Sequence, residues 1–249
     1  MMNKFGPLER EPVFILGNQK SGTSAIVCLL ASATHNSFTN DYVECYEPVQ
    51  WRLYSGQLPL KRFINRTRYP FSRKIIKEPG LTFLYPQLVE LYPTSRYVFV
   101  MRNPADNIRS ILNRVKMPGN ERITDLRPFG MNLEWQRIID SRWFGTQGEY
   151  HIEWLAHRWC MAADVYLGNK EKMTLLRYED FMADKKQAIE TLAGTLGLTV
   201  KHDISGEVDV QFQPKGDPNV DKNLFFGNNL KVIHQICCSR MAQLGYSVP

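Results

Sequence analysis

Residues 13–30 read VFILGNQKSGTSAIVCLL, and this stretch decides the fold of the chain. An apolar run typical of a buried strand comes first, then a loop rich in Gly, Ser and Thr, and then the start of a helix. In a strand–loop–helix arrangement, the backbone N–H groups of the loop and the positive end of the helix dipole both point into the space that the loop encloses. The stretch therefore predicts a binding site for a phosphate or sulfate group.

The loop nearly matches the P-loop of nucleotide triphosphatases, G-x-x-x-x-G-K-[ST], and departs from it in one informative way. Gly17 and Gly22 have the P-loop spacing, but Thr23 stands where a P-loop has its lysine. The lysine of this loop lies earlier, at Lys20. We therefore expect the loop to bind an oxyanion and to carry a cation, without the lysine–hydroxyl pair that serves a γ-phosphate and Mg²⁺.

The composition is that of a globular protein with a core of its own. The 249 residues are 43% hydrophobic and 22% charged, which predicts one α/β domain over residues 1–249. The five cysteines are scattered, and none shows C-x-x-C spacing, so neither a disulfide framework nor a zinc site is expected. The chain shows no membrane-spanning apolar stretch and no apolar signal-peptide core, which predicts a cytoplasmic protein.

The net charge of +6 does not by itself indicate a nucleic-acid partner. No run of Lys and Arg exceeds two residues, and the basic residues are spread along the chain. An anionic small molecule accounts for this charge as well as nucleic acid does, and ordinary surface charge is a third interpretation.

Four apolar runs predict buried parallel strands, at residues 13–16, 74–76, 97–101 and 173–176. Helical patterns precede or follow these runs, at residues 24–33, 81–92, 105–115, 152–167, 186–196 and 229–244. This alternation predicts an α/β fold with a central parallel sheet flanked by helices. Two long segments, 116–149 and 203–228, do not fit the alternation, and we interpret them as lid or acceptor-binding loops or as segments with short structure of their own.

Polar segments directly follow all four predicted strands, at residues 17–24, 77–78, 102–103 and 177–179. Ligands of open α/β sheets bind at the carboxyl ends of the strands. We therefore expect these four segments to converge on one site.

The segment after the third predicted strand has a phosphate-binding pattern of its own. Arg102 ends the strand, Asn103 and Pro104 begin the next helix, and Ser110 lies about two turns into it. An arginine provides a planar fork for phosphate oxygens, and a serine hydroxyl can bind the same group. Taken alone, Arg102 could instead form a surface ion pair, and Ser110 could be a solvent-exposed residue of the helix.

Together, the first loop and the Arg102/Ser110 pair resemble the sulfotransferases that use 3′-phosphoadenosine 5′-phosphosulfate (PAPS). The resemblance covers residue 13 to about residue 245 and implies the P-loop-like fold of that family. It implies that Lys20, Ser21, Gly22, Thr23 and Ser24 bind the 5′-phosphosulfate and that Arg102 and Ser110 bind the 3′-phosphate.

Two further features belong to this resemblance. Tyr178, in LLRYEDF, matches a tyrosine that lies near the adenine. Lys215 and Gly216 match part of an Arg-Lys-Gly element that covers the 3′-phosphate, although Pro214 replaces the arginine. Ala25 stands where many members have a tryptophan that stacks on adenine, so the stacking group must come from elsewhere.

The resemblance also implies a mechanism in which Lys20 neutralises the bridging oxygen as it leaves, and this scheme does not need a metal. Lys77 aligns with a lysine that many members carry after a middle strand. The histidine base that usually follows it is replaced by Pro79. We therefore expect a carboxylate to act as the base for a small-molecule alcohol, phenol or amine acceptor.

The candidate bases are Glu47 and Glu78 with equal weight, followed by Glu44. Each could instead be a surface carboxylate in an ion pair, and Glu78 could simply neutralise its neighbour Lys77. Two other functions remain open at this point: a P-loop kinase or nucleotide triphosphatase, and a non-catalytic module that binds anions or nucleic acid. A homodimer is also compatible with the sequence.

Overall fold

The structure is a computed structural model that describes residues 6–211 and 220–248. The strands in these residues, in chain order, are β1 (Val13–Gly17), β2 (Phe38–Asn40), β3 (Ile75–Lys77), β4 (Arg96–Met101) and β5 (Met173–Arg177).

The α-helices of the same residues are α1 (Thr23–Thr34), α2 (Val49–Tyr54), α3 (Leu60–Arg66), α4 (Tyr85–Leu91), α5 (Pro104–Val115), α6 (Leu133–Ile139), α7 (His151–Leu167), α8 (Tyr178–Ala183), α9 (Lys185–Thr195), α10 (Lys222–Phe226) and α11 (Asn229–Gln243). Short 3₁₀ helices occur at Val43–Cys45, Pro70–Ser72, Pro79–Leu84, Arg127–Phe129, Ser141–Phe144 and Lys170–Lys172.

The five described strands form one parallel sheet in the order β2-β3-β1-β4-β5. This confirms the predicted α/β fold and all four predicted strands. The strand β2 was not predicted, because it has three residues and only its central residue is buried. In the sheet register Gly17 lies opposite Val100, and Val100 lies opposite Leu176, so the carboxyl ends of β1, β4 and β5 share one edge.

The described residues divide into two compact units, the first of which holds the sheet. It runs to Met101 and continues from Asn169 to residue 211. Alternate residues of β1 pack on opposite faces of the sheet. Val13 and Ile15 pack with residues of α1 and α9, whereas the ring of Phe14 contacts Tyr92 and Tyr97, with centroids 5.2 and 5.5 Å away. Burial on both faces explains why β1 reads as a continuous apolar run.

The second unit runs from Arg102 to Gly168 and from residue 220 to residue 248. Its helices α5, α7 and α11 pack against one another. A buried hydrogen bond from the Tyr150 hydroxyl to Asn229 Oδ1, 2.8 Å long, links α11 to the residue that precedes α7. The Asn229 amide in turn donates to the carbonyls of Gly119 and Glu121. These bonds hold the start of the segment 116–149, which also contains α6 and two 3₁₀ helices, and its role as an acceptor loop stays a prediction.

Within the described ranges, we find no helix that combines the length and the apolar character needed to cross a bilayer.

Candidate active site

The loop after β1 has the backbone of an anion cradle. Lys20 and Gly22 both have positive φ, 66° and 96°, so successive peptide units turn within a short segment. Helix α1 begins at Thr23, directly after Gly22, and its first turn carries no acidic side chain. The N–H groups and positive dipole end of a twelve-residue helix therefore lie at the loop.

Two positions of this loop have room only for glycine. A Cβ atom on Gly17 would overlap the carbonyl oxygen of Val100, and one on Gly22 would overlap the ring of Tyr178. The ring of Tyr178 thus lies directly against the loop, and its place near the adenine stays a prediction. The glycine spacing seen in the sequence has a steric cause at both ends of the loop.

Thr82 holds the start of the loop in place. Its hydroxyl accepts from the Gly17 N–H at 2.9 Å and donates to the Gly17 carbonyl at 3.0 Å. The side chain lies on the 3₁₀ helix Pro79–Leu84 and is fully buried. The 65 residues between the two partners explain why no sequence motif revealed this contact.

We expect Thr82→Val to lower the free energy of unfolding by about 1–3 kcal/mol, because the Gly17 amide loses its buried acceptor while the side-chain volume is kept. For a protein of this size, each kcal/mol corresponds to a fall in Tm of about 2–4 °C. Thermal unfolding measures the effect, and Thr82→Ser, which keeps the hydroxyl, is the control. Equal Tm values for the two variants would rule out the anchoring role.

Lys77 lies at the end of β3 and joins two groups at this edge of the sheet. Its Nζ lies 3.1 Å from the Ser24 hydroxyl and 2.6 Å from Asp41 Oδ1. The lysine side chain is only 3% exposed, so this ion pair is largely shielded on the lysine side. Lys77 is therefore placed beside the loop, and Asp41 is a charged residue of this edge that the sequence did not reveal.

The thiol of Cys28, on α1, senses the same two charges. Burial raises the pKa of Cys28, the positive charge of Lys77 opposes that rise, and the negative charge of Asp41 adds to it. The Asn40 side chain also approaches the sulfur, at 4.0 Å. Cys28 is thus a reporter of the charges around Lys77.

The two glutamates predicted as bases are both shielded from solvent. Glu78 is 3% exposed, and its Oε1 accepts from the Gly80 N–H at 2.9 Å, which caps the 3₁₀ helix. The Tyr54 hydroxyl donates to the Gly80 carbonyl at 2.7 Å. Both carboxylate oxygens of Glu47 are buried. Glu78 thus has a local structural role, and the catalytic role of either residue stays a prediction.

Arg102 and Ser110 belong to the second unit. Helix α5 begins at Pro104, one residue before the predicted range, and the Asn103 side chain caps it by accepting from the Ala105 N–H at 3.1 Å. The Trp159 indole donates to the Arg102 carbonyl at 2.9 Å, which fixes the backbone just before the helix. Ser110 lies about two turns into α5. The predicted residues Lys215 and Gly216 lie outside the described residues.

No group of three or more His, Cys, Asp or Glu side chains in residues 6–211 and 220–248 has an arrangement that could bind a metal ion.

The sequence matches a family model described as "Sulfotransferase family" over residues 37–202. A search of curated proteins gave no match.

Solved structures of sulfotransferases have a similar fold. A sulfotransferase of Mycobacterium avium superposes with a TM-score of 0.59 at 11% identity, over 98% of this chain and 79% of that one. The sulfotransferase domain of the curacin biosynthetic pathway gives 0.53 at 14% identity, over 98% and 100%. A sulfotransferase of Alicyclobacillus acidocaldarius gives 0.51 at 14% identity, over 96% and 98%. The structural likeness concerns the fold, and the family model covers more than half of the chain. The chain belongs to the sulfotransferase family.

Proposed function

We propose that this protein transfers a sulfuryl group from PAPS to a hydroxyl or amine group of a small-molecule acceptor. The observation that carries the proposal is the loop after β1, which combines a cation at Lys20 with the N-terminus of α1 and lacks the lysine of a nucleotide triphosphatase. The absence of a Cβ at Gly22 lets the ring of Tyr178 lie against this loop, which supports an adenine nucleotide as the ligand. The membership of the sulfotransferase family supports the same reaction class.

The residues that would hold the donor follow from the loop and from the resemblance. Lys20 and the segment 21–24, which includes Ser21, Thr23 and Ser24, would bind the 5′-phosphosulfate. Arg102 and Ser110 would bind the 3′-phosphate, and Tyr178 would lie near the adenine. Lys215 and Gly216 would cover the 3′-phosphate.

The proposed reaction needs positioning and charge stabilisation. The acceptor oxygen or nitrogen forms a bond to sulfur and loses its proton to a base. The bond from sulfur to the bridging phosphate oxygen breaks, and its electron pair stays on that oxygen. The ammonium of Lys20 and the dipole of α1 supply positive charge for that oxygen, so the scheme does not need a metal ion.

A kinase or nucleotide triphosphatase would place different residues at two positions. It would carry a lysine directly after Gly22 and a Mg²⁺-binding aspartate after a later strand. Thr23 and Arg102 occupy those positions.

A thermal-shift assay distinguishes a sulfotransferase from a kinase or nucleotide triphosphatase by the nucleotide that stabilises the protein. We expect 3′-phosphoadenosine 5′-phosphate (PAP) without Mg²⁺ to raise Tm, by about 5–11 °C when PAP is present at roughly 100 times its Kd. ATP with Mg²⁺ is expected to leave Tm nearly unchanged, because the loop lacks the pair that serves a γ-phosphate and Mg²⁺. Adenosine is the control for binding of the base alone. Stabilisation by ATP with Mg²⁺ and not by PAP would overturn the proposed function.

Turnover is tested by incubation with sulfur-labelled PAPS and a panel of small alcohols, phenols, amines and glycans. Label transfer to a panel member, with stoichiometric release of PAP, is the expected result. PAP binding without transfer to any member would leave a nucleotide-binding protein and overturn the transferase assignment.

A further inference from the structure

We propose that Asp41 is the general base that receives the proton of the acceptor. Lys77 positions Asp41 relative to the sulfate-binding loop by contacting both. The inference rests on the proposed function, because it concerns the acceptor side of the same site.

The first argument is position. Asp41 directly follows β2, and the preceding residue Asn40 pairs with Lys77 in the parallel register of β2 and β3. The Asp41 N–H donates to the Lys77 carbonyl at 3.1 Å, so the backbone of Asp41 is tied to the end of β3. Ligands of open α/β sheets bind at this edge.

The second argument is the connection to the loop. One ammonium, that of Lys77, lies 2.6 Å from Asp41 Oδ1 and 3.1 Å from the Ser24 hydroxyl. Ser24 lies in the first turn of α1, where the 5′-phosphosulfate is proposed to bind. A group that accepts a proton during sulfuryl transfer must lie near the bound donor, and Asp41 is separated from the Ser24 hydroxyl by this one ammonium.

The third argument is access. The side chain of Asp41 is 31% exposed, whereas Glu78 is 3% exposed and accepts from the Gly80 N–H. The carboxylate oxygens of Glu47 are buried. Asp41 is therefore more accessible to an acceptor from solvent than Glu78 or the carboxylate oxygens of Glu47.

The proposed step balances as follows. The hydroxyl oxygen of the acceptor bonds to sulfur, its proton moves to the carboxylate of Asp41, and the electron pair of the broken sulfur–oxygen bond stays on the phosphate of PAP. The protonated Asp41 then returns its proton to solvent through its exposed side.

Asp41→Asn tests this role with little disturbance of the backbone. Asp41 has a φ of 55°, and Asn adopts this left-handed conformation as readily as Asp does. We expect kcat to fall by about 10²–10⁴-fold while the Kd for PAP stays within about twofold. Asp41→Glu keeps a carboxylate and is expected to recover part of the loss. Glu90→Gln, an exposed carboxylate on α4, is the matched control and should keep full activity.

The alkylation rate of Cys28 gives a second readout that does not depend on turnover. The charge of Asp41 raises the pKa of Cys28 and that of Lys77 lowers it. Asp41→Asn should therefore increase the thiolate fraction and speed iodoacetamide alkylation of Cys28 at mildly alkaline pH, followed by mass spectrometry of its peptide. Lys77→Met should slow it.

The outcomes separate the proposal from the function on which it rests. If Asp41→Asn loses turnover, still binds PAP and shows faster alkylation of Cys28, the result supports Asp41 as the general base. Full turnover with faster Cys28 alkylation means that Asp41 only pairs with Lys77, and it overturns the proposal while sulfotransferase activity stands. An unchanged alkylation rate of Cys28 in Asp41→Asn would contradict the placement of Asp41 near Cys28 and Lys77, and with it the proposal. Wild-type protein that neither binds PAP nor transfers sulfate would overturn the proposed function, and the base with it.

Discussion

Lys20→Ala is expected to lower kcat by about 10²–10³-fold and to change PAP affinity far less. The reason is that negative charge on the bridging oxygen develops in the transition state, and a cation aimed at that oxygen therefore stabilises the transition state more than the bound substrate. Arg102→Ala should behave in the opposite way, since it is proposed to bind the 3′-phosphate before and during the reaction. We expect a rise in the Kd for PAP of about 10–150-fold, which corresponds to the loss of a charged hydrogen bond.

The two variants are compared by initial rates at saturating PAPS and by calorimetric titration with PAP. Lys20→Arg is the control that keeps the positive charge at the same backbone position. Negligible effects of both alanine variants would contradict the donor assignment. They would favour a binding module, for which affinity for random DNA should fall steeply with salt.

The parts of the fold that the sequence predicted are those fixed by burial on both faces. The strand β4, for example, is an apolar run from Tyr97 to Met101, and all five of those residues are buried. The strand β2 was missed because Phe38 and Asn40 are exposed, so that only Thr39 is covered and no apolar run results. The helices α2 and α3 were missed as well, because they are short and lie in one stretch of loops and turns.

The residues of the site also differ in whether a local sequence pattern reveals them. Gly17, Gly22 and Lys20 lie in one contiguous loop, where spacing alone carries the information. Asp41 and Thr82 were missed, since their importance depends on which strand lies beside which and on a contact across 65 residues. Glu78 was predicted as a base from its place at a strand end; the structure adds that its carboxylate caps a 3₁₀ helix, and its catalytic role stays a prediction. A residue type at a strand end predicts proximity to the site, and only the register and the hydrogen bonds distinguish between supporting and reacting groups.

Gly22→Ala is expected to weaken PAP binding by about 30-fold or more. The backbone of Gly22 has a φ of 96°, a conformation that costs a non-glycine residue about 1–3 kcal/mol. The added Cβ would also overlap the ring of Tyr178, which lies against the loop, so either the ring or the loop must move. A further cost of about 1–3 kcal/mol is typical of such overpacking. When the substitution displaces the loop without unfolding the protein, these costs together correspond to a loss in PAP affinity of about 30-fold or more.

Two comparison variants separate the backbone cost from the steric cost. Gly56 also has a positive φ, 74°, but a Cβ there would meet open space, so Gly56→Ala measures backbone strain alone. Combining Gly22→Ala with Tyr178→Ala removes the overlap and should recover the steric part of the lost stability, while the backbone part remains. Thermal unfolding and PAP titration of all variants give the two contributions. If Gly22→Ala lost no more stability than Gly56→Ala and bound PAP normally, the ring of Tyr178 would not lie on the loop, and the cradle would not require glycine at its centre.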